Sequence, residues 1–174
     1  LTIHPVKKLL PFSAQEPQSF TELSGIIHRA NLPDHISIRM KHAAIKAAMK
    51  KNLRSTIQID AAPSSSPGTG ITLWSESERT IIGSTVLGEK TLSAEAVGET
   101  AANLLIQEIT SGATLDRYAI DQILPYLALA PRGSACLIRE ISNHTHTNMW
   151  LIKQFFPIDF EATPQQNALR IVVK

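Results

Sequence analysis

The run Glu140-Ile-Ser-Asn-His144-Thr-His-Thr-Asn148 carries more chemistry than any other stretch of the chain. Before it, Ser134-Ala-Cys-Leu-Ile-Arg-Glu-Ile141 reads as a mostly apolar strand. After it, Asn148-Met-Trp-Leu-Ile-Lys-Gln-Phe-Phe156 reads as a short amphipathic helix stopped by Pro157. His144 is therefore expected just before a helix N-terminus. Unpaired N–H groups and the positive end of the helix dipole lie there, which disfavours an imidazolium and attracts an anion. A neutral imidazole beside an anion cradle is a competent phosphorus nucleophile. Taken alone, the same residue also reads as a polar loop or cap histidine. His144-x-His146 has the look of two metal ligands, but the pair lacks a third and fourth ligand nearby, so no metal-binding residue is assigned.

The elements that must position this segment follow from periodicity. Phe20 to Arg29 is expected as a strand. Asn31 is expected to cap a helix with Pro33 in its first turn, running to about Lys51 with Ile36, Met40, Ala43, Ala44 and Ala47 as its apolar stripe. Ser55–Ile59, Ile71–Trp74 and Thr80–Leu87 read as three strands, the last two as a hairpin. A second helix from about Ser93 to Thr110 turns Val97, Ala101, Leu104, Leu105 and Ile109 inward, with Gly112 just beyond its end. This is a βαβββα unit, four strands covered on one face by two helices. Beyond it, Thr114 is expected to cap a helix through Leu115, Ala119, Ile123 and Leu127 that Pro125 kinks or interrupts. The strand before His144, the helix after it and strands near Ile158–Ala162 and Leu169–Val173 complete the chain. These C-terminal elements lack neighbouring layers to cover their apolar faces.

Composition excludes several classes. The chain has 174 residues, with 17 basic against 15 acidic side chains, so net charge alone does not point to nucleic acid. No apolar run approaches the roughly 20 residues that cross a bilayer, and the N-terminus lacks a signal-peptide pattern. The single cysteine, Cys136, forms no internal disulfide and no four-cysteine zinc site. No membrane partner and a cytoplasmic address are the expectations.

Other features have ordinary explanations. Arg39, His42, Lys46 and Lys50, joined by Lys51 and Arg54, could neutralise RNA phosphates, but the solvated helix face is preferred. Gly68-Thr-Gly70 lacks the lysine and hydroxyl of a Walker loop and reads as a turn. Trp74 and Trp150 could stack bases but are expected to pack.

At Ser142-x-His144-x-x-Thr147-Asn148, followed by Ile152 and Phe155-Phe-Pro-Ile-Asp-Phe160, the chain resembles the RNA 3′-terminal phosphate cyclases. The resemblance continues through Ser111-Gly-Ala-Thr-Leu-Asp116, Tyr118-Ala-Ile-Asp-Gln122 and Leu124-Pro-Tyr-Leu-Ala-Leu-Ala130. Pro5-Val-Lys-Lys-Leu9, Gly68-Thr-Gly-Ile-Thr-Leu-Trp74, Gly88-Glu89, Glu95 and Gly98 fit as well. Several motifs in register over nearly the whole chain make this a specific match. Family members are about twice this length, so the chain looks like the C-terminal half of a cyclase, as a fragment, a processed chain or one part of a split enzyme.

The resemblance implies an α+β fold. A small insert domain with thioredoxin-like packing would span residues 13–112, flanked by catalytic-domain segments at 1–12 and 113–174, the latter with the nucleophile motif. His144 would be the nucleotide-accepting histidine, with His146 a local variation. Tyr118, Ala119, Ile120, Asp121 and Gln122 would contact ATP; the common family form begins this segment with histidine and has alanine before the aspartate, so Tyr118 and Ile120 depart from it. The implied reaction takes ATP, with Mg²⁺ or Mn²⁺, and an RNA bearing a 3′-phosphate, and closes a 2′,3′-cyclic phosphate through a histidine–AMP intermediate. A separate N-terminal half or a second copy would be the protein partner. The alternative is a non-catalytic RNA-binding or ribonucleoprotein-assembly module; His144 favours the enzyme and the missing half favours the module.

Overall fold

The computed structural model describes residue 2 and residues 4–174; of the expected 1–12 segment, Leu1 and Ile3 lie outside the described residues. In chain order the elements are β1 (Ser13–Ala14), β2 (Glu22–Ala30), α1 (Asp34–Met49), β3 (Arg54–Ala61), β4 (Gly68–Glu76) and β5 (Ile81–Leu87). They continue with α2 (Ala94–Ser111), α3 (Ala119–Leu129), β6 (Ala135–Ile138), α4 (Asn143–Phe155), β7 (Phe160–Gln165) and β8 (Ala168–Val173). The fold is α+β. Two compact units result, one formed by Gln18–Thr110, the other by the residues up to Pro17 together with Ser111–Lys174.

In the Gln18–Thr110 unit the strands are ordered β3-β2-β4-β5, with β2 and β3 parallel and the other pairs antiparallel. Alternation along the strands puts Leu23, Ile27, Ile57, Ile71, Leu73 and Ile82 on one face. Met40, Ala44, Ala47 and Ala48 of α1 and Val97, Ala101, Ala102 and Leu105 of α2 join them in a single core. The βαβββα reading therefore describes this unit. Small residues on α1 and α2 allow a close helix crossing, and at Gly98 a Cβ would overlap the Met40 carbonyl oxygen.

Two details of α1 differ from expectation. Asn31 does not cap the helix: it adopts a left-handed conformation, φ 52°, and its Nδ2 donates to the Ser64 carbonyl at 2.6 Å. The N-cap is Pro33, without a side-chain cap, and the helix stops at Met49. Two residues of the basic stripe meet acids of α2. Arg39 grips Glu95 with two hydrogen bonds of 2.6 and 2.7 Å, and Lys50 lies 3.9 Å from Glu99. Hydrogen bonds from Arg39 hold the Glu95 carboxyl below the usual glutamate range. A solvated face with two ion pairs to α2 accounts for these residues.

In the other unit the sheet order is β1-β6-β8-β7. β1 pairs in parallel with β6, Ser13 opposite Ala135 and Ala14 opposite Cys136, so residues 13–17 belong with the C-terminal elements and the boundary expected at 13 falls later. β6 is buried along its whole length, as a central strand covered on both faces must be. Ile120, Leu124 and Leu127 of α3 and Ile152 of α4 pack with Cys136, Ile138, Ile171 and Val173. Burial pushes the Cys136 thiol up to about 12, so it is inert as a nucleophile.

Thr114 also differs from expectation. It is fully buried, donates to the Ala14 carbonyl at 2.7 Å and accepts from the Leu137 N–H at 2.9 Å, tying β1 to β6. Asp116 starts α3 instead, its Oδ1 accepting the N–H groups of Tyr118 and Ala119, both at 2.9 Å. Pro125 lies inside α3, which continues to Leu129. Trp150, expected to pack, is 58% exposed, and Tyr126, Leu129 and Phe155 are exposed too. Trp74 donates its indole N–H to Glu76 at 3.0 Å. No helix among the described residues is long and apolar enough to cross a membrane.

Candidate active site

The helix carrying His144 begins five residues earlier than its apolar pattern indicates. Ser142 is the N-cap: its Oγ accepts the Thr145 N–H at 3.0 Å, and its carbonyl accepts the His146 N–H at 2.9 Å. His144 thus stands in the first turn of α4 and not in a loop before it. The run of Asn, His and Thr has weak helix propensity, and the serine cap supplies what propensity lacks. The imidazole is exposed. The expected position near unpaired helix-terminal N–H groups holds in substance, since the first-turn amides of Asn143 and His144 have no carbonyl one turn back.

Behind His144 lies a buried polar clamp. The Thr145 hydroxyl, inaccessible to solvent, donates to Asp121 Oδ1 at 2.5 Å and lies 2.9 Å from Ser142 Oγ. Asn148 Nδ2 donates to the Asp121 carbonyl at 3.2 Å. The first turn of α3 is thereby fixed to the first two turns of α4, and Tyr118–Gln122 is held beside the turn that bears His144. The remaining motif residue, Thr147, donates to the Asn143 carbonyl at 2.8 Å and reinforces the helix start.

The five residues expected to meet ATP do not share one surface. Tyr118 and Gln122 are exposed, Ala119 and Asp121 half-buried, and Ile120 is wholly buried in the core. Ile120 acts through packing, because its position one residue past Ala119 turns it toward the sheet; its side chain is not available for ligand contact. His146 is exposed two residues beyond His144, and side chains at that helical spacing do not face each other. Among the described residues no three His, Cys, Asp or Glu side chains are grouped to hold a metal ion.

Sequence reading missed the clamp and a charged cluster. Arg139 donates to Glu140 Oε1 at 2.8 Å, Arg117 lies 3.7 Å from the same oxygen, and the Arg117 guanidinium sits 5.4 Å from the centre of the Tyr118 ring. The Ser142-x-x-Thr145 spacing was a usable capping signal. Nothing local announces that Thr145 would meet Asp121, 24 residues away.

The chain that carries this arrangement is similar in sequence to known proteins. A family model described as "RNA 3′-terminal phosphate cyclase (RTC), insert domain" matches residues 15–110. A curated RNA 3′-terminal phosphate cyclase of Methanosarcina barkeri is 38% identical over 152 residues, covering 87% of this chain and 44% of the relative. One from Pyrococcus furiosus is 34% identical over 164 residues, covering 92% and 47%. One from Nitrosospira multiformis is 33% identical over 175 residues, covering 99% and 49%. The chain belongs to the RNA 3′-terminal phosphate cyclase family. It spans about half the length of the curated relatives it matches.

Proposed function

We propose that this chain is the part of an RNA 3′-terminal phosphate cyclase that carries the adenylated histidine and one wall of the ATP site. The observation that carries this reading is the Thr145–Asp121 clamp, which seats the Tyr118–Gln122 segment against the turn holding His144. His144 attacks the α-phosphorus of ATP; the bond to the β-phosphate oxygen breaks and pyrophosphate leaves, giving a phosphoramidate with AMP. The RNA 3′-phosphate then attacks the same phosphorus, freeing the imidazole and forming a phosphoanhydride. Finally the adjacent 2′-hydroxyl attacks the terminal RNA phosphorus, loses its proton and expels AMP, leaving the 2′,3′-cyclic phosphate. Adenylation thus converts a poor leaving group into a good one.

The chain's own residues supply part of this chemistry. His144 is the nucleophile, the α4 first-turn amides favour the phosphate charge, and Gln122 and Tyr118 are exposed on the segment that Asp121 ties to α4. Mg²⁺ or Mn²⁺ enters the proposal as the counter-ion of the triphosphate; no cluster of three or more His, Cys, Asp or Glu side chains converges among the described residues, and no step is assigned to a metal held here. The exposed Tyr126, Leu129, Trp150 and Phe155 are the faces on which an N-terminal cyclase half, or a second copy, would lie. A buried reduced thiol fits the cytoplasm as its setting.

The test is conversion of an RNA ending in a 3′-phosphate, with ATP and Mg²⁺, by this chain supplemented with an N-terminal cyclase half. A phosphatase-resistant 2′,3′-cyclic end is the expected product. Absence of product from a mixture in which the two pieces associate would favour the non-catalytic RNA-binding reading.

A further inference from the structure

A cavity of about 390 Å³ lies within the Gln18–Thr110 unit, where β4, α1 and α2 begin and β5 stops. Motif residues that the chemistry at His144 does not use meet there. Gly68 and Thr69 line it from the start of β4, and Gly88 and Glu89 from just past β5. The Gly88 N–H donates to the Thr69 carbonyl at 2.8 Å, and a Cβ on Gly88 would stand 2.6 Å from Thr69 Cγ2, so the bare backbone at Gly88 lets the two segments close this wall. Glu95 and Gly98 act one step further out. Glu95 holds Arg39 and Gly98 admits the Met40 carbonyl, and both Arg39 and Met40 line the cavity.

The lining has two parts. Met40 and Val97 are buried and form an apolar floor with the half-buried Ile36, while Leu92 is 45% exposed. The exposed polar side chains of the lining include His35, Glu89 and Lys90, and among the described residues none of these three has an ion-pair or hydrogen-bond partner. The volume falls in the range of about 300–1,000 Å³ that suits a small molecule. We infer that this cavity binds a nucleoside phosphate, the base against the Met40–Val97 floor, base amino or ribose hydroxyl groups donating to Glu89, and the phosphate at Lys90 and His35. A fatty acid would bring Glu89 no donor, and a bare phosphate would leave the apolar floor in water. A nucleotide supplies an apolar-faced ring, donors and an anion together. The choice of a nucleotide over a zwitterionic aromatic amino acid rests on the cyclase reading, and the two sources of this chemistry are a free nucleotide and one nucleotide of a single-stranded RNA. His144 belongs to the other unit, so this is a second nucleotide site.

Amide chemical shifts of the whole chain, followed during titration with AMP, adenosine, ribose 5-phosphate, the trinucleotide ApApA and L-tryptophan, test the inference. AMP is expected to move the amides of Thr69, Gly88, Glu89, Lys90 and Ala94, and to bind about tenfold more tightly than adenosine or ribose 5-phosphate. Lys90→Glu, a change at an exposed side chain, is expected to weaken AMP by about tenfold or more. Leu92→Ala is expected to weaken it severalfold. Tighter binding of ApApA than of AMP at the same amides assigns the site to an RNA strand; weaker binding assigns it to a free nucleotide. Shifts confined to the surroundings of His144, undiminished affinity in Lys90→Glu, or a cavity that takes tryptophan and no nucleotide overturns the inference. None of these readouts needs AMP on His144. A cavity that takes AMP in a chain whose histidine is never adenylated sinks the cyclase reading and leaves this site standing; adenylation of His144 with a silent cavity does the reverse.

Discussion

Gly98→Ala should destabilise the Gln18–Thr110 unit more than any other single-methyl change in it. In an exposed helix the substitution would help by about 1 kcal/mol, because alanine has the higher helix propensity. Here the new methyl overlaps the Met40 carbonyl oxygen, a backbone atom of the facing helix that has no rotamer to escape into. α1 and α2 must separate, which loosens Met40, Ala44, Ala101 and Leu105 in the shared core. A net loss of about 3 kcal/mol is expected, at the upper end of ordinary overpacking. Against a typical domain stability of about 5–15 kcal/mol this is a large fraction. Urea unfolding combined with hydrogen exchange of the α2 amides measures it. An unchanged or raised midpoint would contradict the close crossing.

Thr145→Val is the second large effect, and it acts on the site. Valine keeps the volume and the β-branched shape of threonine, so the helix and its packing are retained. What disappears is the donor to Asp121 Oδ1, leaving a half-buried carboxylate short of a partner. The expected cost to this unit is about 1–2 kcal/mol. The larger consequence is positional: α3 loses its side-chain bond to the first turn of α4, and the Tyr118–Gln122 segment is no longer held against His144. AMP transfer should fall more than about tenfold, since a small misplacement at a reacting centre costs that much or more. Thr145→Ser, which keeps the hydroxyl, should restore most of it. Equal activity of the valine and serine variants would show that the clamp does not position the site.

Most of the fold was legible because burial imposes a period. The four strands and two helices of the Gln18–Thr110 unit follow from alternation and from the stripes through Met40 and Val97. What local pattern misjudged was how helices begin. Asn31 has a favoured cap side chain, yet its left-handed backbone turns the amide toward Ser64, and the helix starts at Asp34 without it. Thr114 was taken by a buried bond between strands, and Asp116 accepts the amides that lead into α3, whose N-cap is Tyr118. In α4 the apolar pattern starts only at Asn148, so a first turn made of polar residues was invisible to periodicity although Ser142 marked it.

The site was legible in one part and hidden in another. His144 could be singled out because a histidine near a helix start has a chemical meaning by itself. Asp121 could be named as a hydrogen-bonding group, but its partner lies on another helix and only the tertiary fold supplies it. Ile120 shows the opposite error: a position picked with its neighbours as one segment is sorted by the helix onto the core face. The approach of Arg117 to Glu140 needed coordinates as well, because the two are far apart in the sequence, whereas Arg139 adjoins Glu140 directly.

The most direct measurement is the mass of the denatured chain after incubation with ATP and Mg²⁺ or Mn²⁺, alone and with an N-terminal cyclase half, beside His144→Ala. The account predicts the added mass of AMP on the peptide containing His144, present at least when the other half is supplied and absent from the alanine variant. An adduct that persists in His144→Ala, or none in either mixture, would contradict it.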